Sequence, residues 1–388
     1  MIYHLELFPP LKVTGMTRIT IIPTIRPLQI IVTATVLLIL PFACCLWAEP
    51  SEQFKRRDVN RNGILEEDEL NGIPPALFKR LDQNQDGKIS AKEDETLFNQ
   101  RPQYQIQTIN YASNQNPRQE LDILIPKQRS STPLPCLIFV HGGGWRAGNK
   151  TQGHSQLHDY VDSNQFVGVS LGYRLSNEAI WPAQLHDCKA GIRYLYANAD
   201  KLNIDTNKFI IFGTSAGGHL AAMIATTGNE PRLQGNIGQH LDQPSRVAGA
   251  ISYFGPTDFL RMDDFPSRFS HNDAASPESK LIGAPIQTMV KKTQTANPIT
   301  YIDTKDPPLI CIHGDRDNLV PFNQSELLYR ALKKRNVTTA LIRITNGGHG
   351  GFQNPEIKNI EKQFFQAIAT TSRNLPKSLT LPNQPNRK

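Results

Sequence analysis

The sequence predicts an α/β fold: a mostly parallel sheet covered by helices on both faces, preceded by a small helical unit. Three observations carry that expectation. Short, uninterrupted apolar runs recur from Leu137 onward, as in strands buried on both faces. Helical stretches alternate with these runs, the order that builds a crossover sheet. Upstream, two similar acidic loops stand at 58–69 and 82–93.

The elements follow in chain order. Segments 103–111 and 119–125 alternate in polarity like antiparallel strands, with a turn at 114–117. Continuous apolar runs then occur at 137–140, 166–171, 209–212, 247–254, 309–312 and 340–344. Helical stretches are expected at 182–201, 219–227, 323–335 and 355–371. The Pro-rich, polar stretch 255–307 reads as an irregular cap over one sheet edge. From Arg373 the chain carries Pro376, Pro382 and Pro385, and 373–388 reads as a disordered tail. The α/β domain is expected to span 104–371.

Composition bounds the function. The chain has 388 residues, 39% hydrophobic and 20% charged, which excludes a disordered protein, a collagen-like fibre and a polytopic membrane protein. The net charge of +7 raises nucleic acid as a partner. No basic stripe interleaved with aromatics appears, and Arg373, Lys377, Arg387 and Lys388 supply part of the excess, so nucleic acid is set aside. Five scattered cysteines form neither a disulfide framework nor a zinc cluster. Any metal must be held by carboxylates.

Residues 30–40 are nearly all apolar, with Arg18 and Arg26 before them and Ala48 preceding Glu49. This reads as a secretory signal over 1–48, and Met16 would open a more ordinary signal length. The run is shorter than the ~20 residues of a spanning helix. A retained signal anchor and a lipoprotein attachment at Cys44 or Cys45 are the alternatives. The expected location is exported, periplasmic or extracellular, with membrane contact only through this segment.

The acidic loops read DVNRNGILEEDE and DQNQDGKISAKE. In the first, Asp58, Asn60 and Asn62 offer side-chain oxygens, Ile64 a carbonyl, and Glu69 a closing carboxylate. In the second, Asp82, Asn84 and Asp86 do this, Lys88 gives a carbonyl, and Glu93 closes. Gly63 and Gly87 occupy the sixth positions, where the loop turns sharply. A hard cation takes six to eight oxygens, and this spacing wraps them about one point. The segment 52–98 therefore resembles an EF-hand pair. The resemblance implies two calcium ions in a structural role.

Residues 213–217 read GTSAG between an apolar run and a helix. That context lifts Ser215 out of a tight strand–helix turn as a nucleophile. A serine hydroxyl needs a base, and the sequence offers ten histidines. His154 and His158 lack a third metal ligand, His186 and His219 fall in helices, and His141 and His313 close strands. His349, in GGHGG after the last apolar run, is the base expected. An orienting acid is expected from HGDRDNLVP, directly after an apolar run, where Asp317 is favoured over Asp315. Asp258, in GPTDF, is a weaker rival. HGGGW at 141–145 supplies bare backbone at a strand end, so the N–H groups of Gly143 and Gly144, with that of Ala216, are expected to bind an oxyanion.

Together HGGGW, YRLSNEAIWPAQLHDCKAGIRYL, GTSAGGHLAA, GPTDF, HGDRDNLVP and GGHGG resemble the α/β-hydrolase superfamily over residues 104–370. They are similar to esterases of the hormone-sensitive-lipase type and the acetylxylan/feruloyl esterase branch. The resemblance implies an α/β-hydrolase fold and a serine carboxylic-ester hydrolase with no organic cofactor, acting on small acyl esters, possibly of polysaccharides. It maps the triad onto Ser215, Asp317 and His349. Thr214 departs from the acid that many lipase-type relatives carry before the serine. A prolyl-oligopeptidase-type peptidase and a non-catalytic module of the same fold are the competing readings.

Overall fold

The apolar runs fold as one nine-stranded sheet. The structure is a computed structural model that describes residues 52–71, 73, 78, 81–94, 102–372 and 374–384, all within the unit Pro50–Lys388. The strands are β3 (Tyr104–Asn110), β4 (Glu120–Pro126), β5 (Leu134–Val140), β6 (Val167–Leu171), β7 (Ile204–Thr214), β8 (Gly249–Tyr253), β9 (Leu309–Gly314), β10 (Thr339–Thr345) and β11 (Leu379–Pro382). Their order across the sheet is β11-β10-β9-β8-β7-β5-β6-β4-β3. The pairs β3–β4 and β4–β6 are antiparallel, and the remaining pairs are parallel.

Period-two alternation explains why the central strands read as unbroken apolar runs. Along β5, Cys136, Ile138 and Val140 enter one core, whereas Leu137 and Phe139 enter the other. In β7, Phe209 and Ile211 face the first core and Ile210 and Phe212 the second. Helices Ala183–Ala197 and Ala216–Thr226 cover the first face through Leu185, Ile192, Leu220 and Ile224. Helices Gln152–Asp162 and Glu356–Ala369 cover the second through Leu157, Val161, Phe364 and Phe365. Each fully buried side chain of this size contributes about 1.5–3 kcal/mol by leaving water. Cys136, Cys188 and Cys311 are buried and free.

The fold departs from the sequence reading in three places. The tail is not disordered through 374–384: β11 pairs in parallel with β10, Ile342 opposite Leu379 and Ile344 opposite Leu381. An edge strand bonds on one side only, so Pro382 at its end removes no needed donor, and Leu375 and Leu381 pack on the core. The stretch 255–307 is not irregular throughout. It holds short helices, including Pro277–Ile282 and Val290–Gln294, and lines a cleft with the turns after β5 and β7. Helix Gln152–Asp162 was not anticipated, because its sequence is polar outside Leu157, Tyr160 and Val161.

Upstream, β1 (Ile64–Leu65) and β2 (Ile89–Ser90) join the two acidic loops as an antiparallel pair, Ile64 opposite Ser90 and Leu65 opposite Ile89. Phe54, Leu65, Leu81 and Ile89 form a small core beneath. The segment 1–48, with Cys44 and Cys45, lies outside the described residues, as does 95–98 of the paired-loop unit. Among the described residues no helix is long and apolar enough to cross a membrane.

Candidate active site

The turn after β7 places Ser215. Its backbone sits at φ 55° and ψ −121°, a region that costs about 1–3 kcal/mol for a residue with a side chain. Packing holds it there. The Ser215 N–H donates to the Tyr253 carbonyl at 2.9 Å, and helix Ala216–Thr226 is buried along its whole length. A Cβ on Gly217 would stand 2.0 Å from the Val140 carbonyl oxygen, so only glycine lets the helix start this close to β5. The glycines of GTSAG are thus steric requirements of the turn.

Ser215 Oγ lies 2.9 Å from His349 Nε2, and His349 Nδ1 lies 2.6 Å from Asp317 Oδ2. Asp317 is buried and receives four donors. The N–H groups of Leu319 and Val320 bond Oδ1 at 2.8 and 3.0 Å. On Oδ2, His349 is joined by His313 Nε2 at 3.1 Å. That nitrogen also faces the Val320 carbonyl at 3.0 Å; with acceptors on both sides it must carry the proton. His313 Nδ1 then accepts from Ser325 Oγ at 2.8 Å. Burial alone would raise the Asp317 pKa, but the bonds to His313 and His349 outweigh it and hold the carboxyl well below the usual range. An ionised Asp317 can only accept, so Nδ1 of His349 carries a proton and Nε2 is left to accept from Ser215.

Asp315 stands apart from this chain of bonds. Its Oδ2 takes bonds of 3.0 and 2.9 Å from Arg343, and its Oδ1 one of 2.8 Å from the Asn346 N–H. Asp258 accepts from Asn297 Nδ2 at 2.8 Å and lies outside the cleft lining. His154 and His158 do not converge: the first meets Asp122 at 2.8 Å and the second the Tyr104 hydroxyl at 3.1 Å. His219 bonds the Ala296 carbonyl at 2.7 Å.

The turn after β5 forms the facing wall. Gly143 has φ +111°, and a Cβ there would stand 2.2 Å from the Ala147 carbonyl oxygen. The Gly143 carbonyl instead accepts from the Arg146 and Ala147 N–H groups. The N–H groups of Gly143, Gly144 and Ala216 have no acceptor among the described residues. All three residues border a cleft of about 840 Å³ together with Ser215 and His349. The cap adds Phe269, Asp273 and residues 275–278 to its wall.

A family model, BD-FAE, matches residues 121–332, more than half of the chain. The chain belongs to the BD-FAE family. The matched span contains Gly143, Gly144, Ser215, Ala216 and Asp317, whereas His349 lies beyond its end. Esterase LipC of Mycobacterium tuberculosis is 29% identical over 61% of this chain and 57% of its own length. The probable carboxylic ester hydrolase LipM of the same organism is 30% identical over 49% and 43%. The chain thus spans about half the length of these curated relatives. A solved truncated carbohydrate esterase from gut microbiota is 32% identical, with a TM-score of 0.63, covering 70% of this chain and 98% of that one.

Beside this BD-FAE domain, the two acidic loops repeat one pattern of bonds. Asp58 accepts from the N–H groups of Asn62 and Gly63, each at 3.0 Å, and Asp82 from those of Asp86 and Gly87 at 3.0 and 3.1 Å. Glu69 folds back onto the Val59 N–H at 2.8 Å, and Glu93 onto that of Gln83 at 3.0 Å. Gly63 and Gly87 have φ +78° and +81°, the left-handed turn expected at the sixth position. Asn60, Asn62 and Asn84 each turn a side-chain oxygen onto a loop N–H. Ile64 and Lys88 follow the turns, Lys88 reaching Glu66 at 2.9 Å. Among the described residues no three Asp, Glu, His or Cys side chains converge as a metal-binding group. Asparagines and carbonyls would complete the oxygen set here, and those donors suit a hard cation.

Proposed function

We propose that this protein is a serine carboxylic-ester hydrolase for small acyl groups, with acetyl or feruloyl esters of a polysaccharide as its substrates. The observation that carries the reading is the run of bonds from Ser215 through His349 to Asp317, at the edge of a cleft bordered by three free N–H groups. A hydroxyl alone attacks an ester slowly, because its proton must leave as the bond forms. His349 Nε2 stands where it takes that proton, and Asp317 holds the ring and stabilises its charged form. The carbonyl oxygen becomes an oxyanion on the N–H groups of Gly143, Gly144 and Ala216. The tetrahedral adduct expels the alcohol, protonated by His349, and leaves an acyl-Ser215. Water, deprotonated by His349, then releases the acid and restores the serine.

The names of the relatives support the ester, and the carbohydrate esterase among the solved structures supports a sugar-bearing alcohol. For the paired loops the reading is two calcium ions in a structural role, held by Asp58, Asn60, Asn62, Ile64 and Glu69, and by Asp82, Asn84, Asp86, Lys88 and Glu93. Bound there, calcium supplies charge neutralisation to crowded oxygens. The basic-flanked apolar stretch before Ala48 supports export. The test is a substrate panel from acetyl to long acyl esters, acetylated xylan and prolyl peptides. Ester turnover that Ser215→Ala abolishes upholds the reading, whereas peptide turnover without ester turnover replaces it with a peptidase. Binding of substrate without turnover of either leaves a non-catalytic module.

A further inference from the structure

The cap places a carboxyl group in the cleft wall that none of the chemistry above uses. Glu278 borders the cleft, yet only 2% of its surface is exposed. Its Oε2 atom has no hydrogen-bond partner. Behind it stands His271, fully buried, whose Nδ1 lies 3.1 Å from Oε2. That contact lies off the line of a hydrogen bond, and both nitrogens of His271 also remain without a partner. Burying an unpaired polar group costs about 1–3 kcal/mol, so a fold keeps such a group where something else satisfies it.

The location says what that is. Pro277 packs against the turn after β5: a Cβ on Gly144 would meet the Pro277 Cβ at 3.3 Å. Glu278 therefore follows directly on the residue that touches Gly144, whose N–H is free for the ester oxygen. Trp145, next after Gly144, is 1% exposed, borders the same cleft and has an unpartnered Nε1. A buried donor without a partner, Trp145 Nε1, and a buried acceptor without a hydrogen bond, whose one neighbour is His271, thus sit one residue beyond this contact. Phe269 adds a partly exposed aromatic ring to the same wall, 4.6 Å from the His271 ring.

We infer that Glu278 is a specificity-determining residue that accepts a hydrogen bond from a free hydroxyl on the substrate near the scissile ester. The preferred substrates are then partially acylated polyols, in which a hydroxyl adjoins the ester, rather than simple alkyl esters. His271 is a positioning residue that holds the carboxyl against the cleft. The inference rests on the esterase reading and adds to it which part of the alcohol the site reads.

The probe is a pair of monoacetylated methyl xylosides, one with neighbouring hydroxyls free and the other with them O-methylated. The wild-type protein should favour the free-hydroxyl ester in kcat/KM by about tenfold or more, as a site built around a hydroxyl rejects the analogue lacking it. Glu278→Ala should bring that ratio near one. A purely structural Glu278 would lower both rates and leave the ratio unchanged, which overturns the inference. Equal turnover of the two esters by wild type overturns it also, whether or not the variant folds. If neither ester nor any other is hydrolysed, the esterase reading itself has failed.

Discussion

His313 Nε2 stands 3.1 Å from Asp317 Oδ2, the oxygen that also takes the 2.6 Å bond from His349. Two imidazoles therefore converge on one carboxylate oxygen, one at the cleft and the other buried behind it. The buried ring cannot reach a substrate. Its proton is fixed between Asp317 and the Val320 carbonyl, and its other nitrogen is fixed by Ser325. It sets where Oδ2 lies, and Oδ2 sets the ring of His349.

The first prediction follows from that arrangement. His313→Gln should lower kcat by roughly 10–100-fold with little change in KM, because small misplacements of a reacting group are costly while substrate contacts persist. Ester kinetics with a folded variant, checked by thermal unfolding, test this. A rise in KM with kcat intact would place His313 in substrate binding instead.

The two aspartates of HGDRD should separate cleanly. Asp317→Asn is expected to cost roughly 10³–10⁴ in kcat, since the amide favours the wrong tautomer of His349. Asp315→Asn loses only its bonds to the half-exposed Arg343 and to Asn346 and should cost less than about tenfold. Acid stability gives a second readout. The folded pKa of Asp317 lies below its unfolded value of about 3.9, so its contribution is fully present above that value and is lost as pH falls through the folded one. The unfolding free-energy difference between wild type and Asp317→Asn should therefore be flat above about pH 5 and shrink in more acid solution. A difference that grows on acidification would contradict the assignment.

How much of this was legible in the sequence depends on how local the cause was. Gly217 and Gly143 were readable because their backbone crowding arises within turns of a few residues, and Ser215 came with them. Asp317 was separable from Asp315 by its place in the loop before helix Asn323–Lys334. The sharp turns at Gly63 and Gly87 were readable, since each arises within a loop of twelve residues. By contrast, the second bond of His313 exists only because β9 and the loop after it fold back on themselves, though its spacing of four from Asp317 was the available signal. Strand β11 was missed because three prolines argued for disorder, whereas the one within the strand, Pro382, ends an edge that needs no donor there. Glu278 was invisible because its burial depends on His271 and on the turn after β5, both brought to it by tertiary packing.

A buried lysine offers a prediction on stability. Lys189 is fully buried in helix Ala183–Ala197, and burial, with Arg193 nearby, pushes its pKa down to about 7. The unfolded value is about 10.4, so between these values the unfolded chain binds more protons and stability rises with pH. Its one bond, 2.6 Å to the Thr227 carbonyl, is not that oxygen's sole contact, since the Glu230 N–H and Gln234 Nε2 also donate to it. Lys189→Met should therefore stabilise the fold at neutral pH by about 1–3 kcal/mol. Denaturant unfolding of both proteins from pH 6 to 10 should show this gap closing as pH rises. A gap independent of pH would mean that the lysine titrates alike in the folded and the unfolded chain.

The last prediction concerns the loops. Burial tends to raise the pKa of Glu93, but the Ser90 N–H and hydroxyl, with the N–H groups of Asn84 and Gln83, bring it below the ordinary value. The carboxylate is thus held ionised at the closing position of the loop. Asp82 and Asp86 give that loop two further carboxylates, whereas in the first loop Asn60 and Asn62 take the third and fifth positions. Carboxylate count raises calcium affinity, so calorimetric titration should resolve two events, the tighter one at 82–93. Glu93→Gln should weaken that event by about tenfold or more, through loss of the bidentate carboxylate, and leave the event at 58–69 in place. Calcium should raise the unfolding temperature of the wild-type protein and raise it less in the variant, because a ligand bound only to the folded chain stabilises it by mass action. Chelation should leave ester turnover intact at temperatures where the domain stays folded. Loss of turnover there would make calcium a regulator rather than a structural ion, and a stoichiometry of zero would remove calcium from the protein altogether.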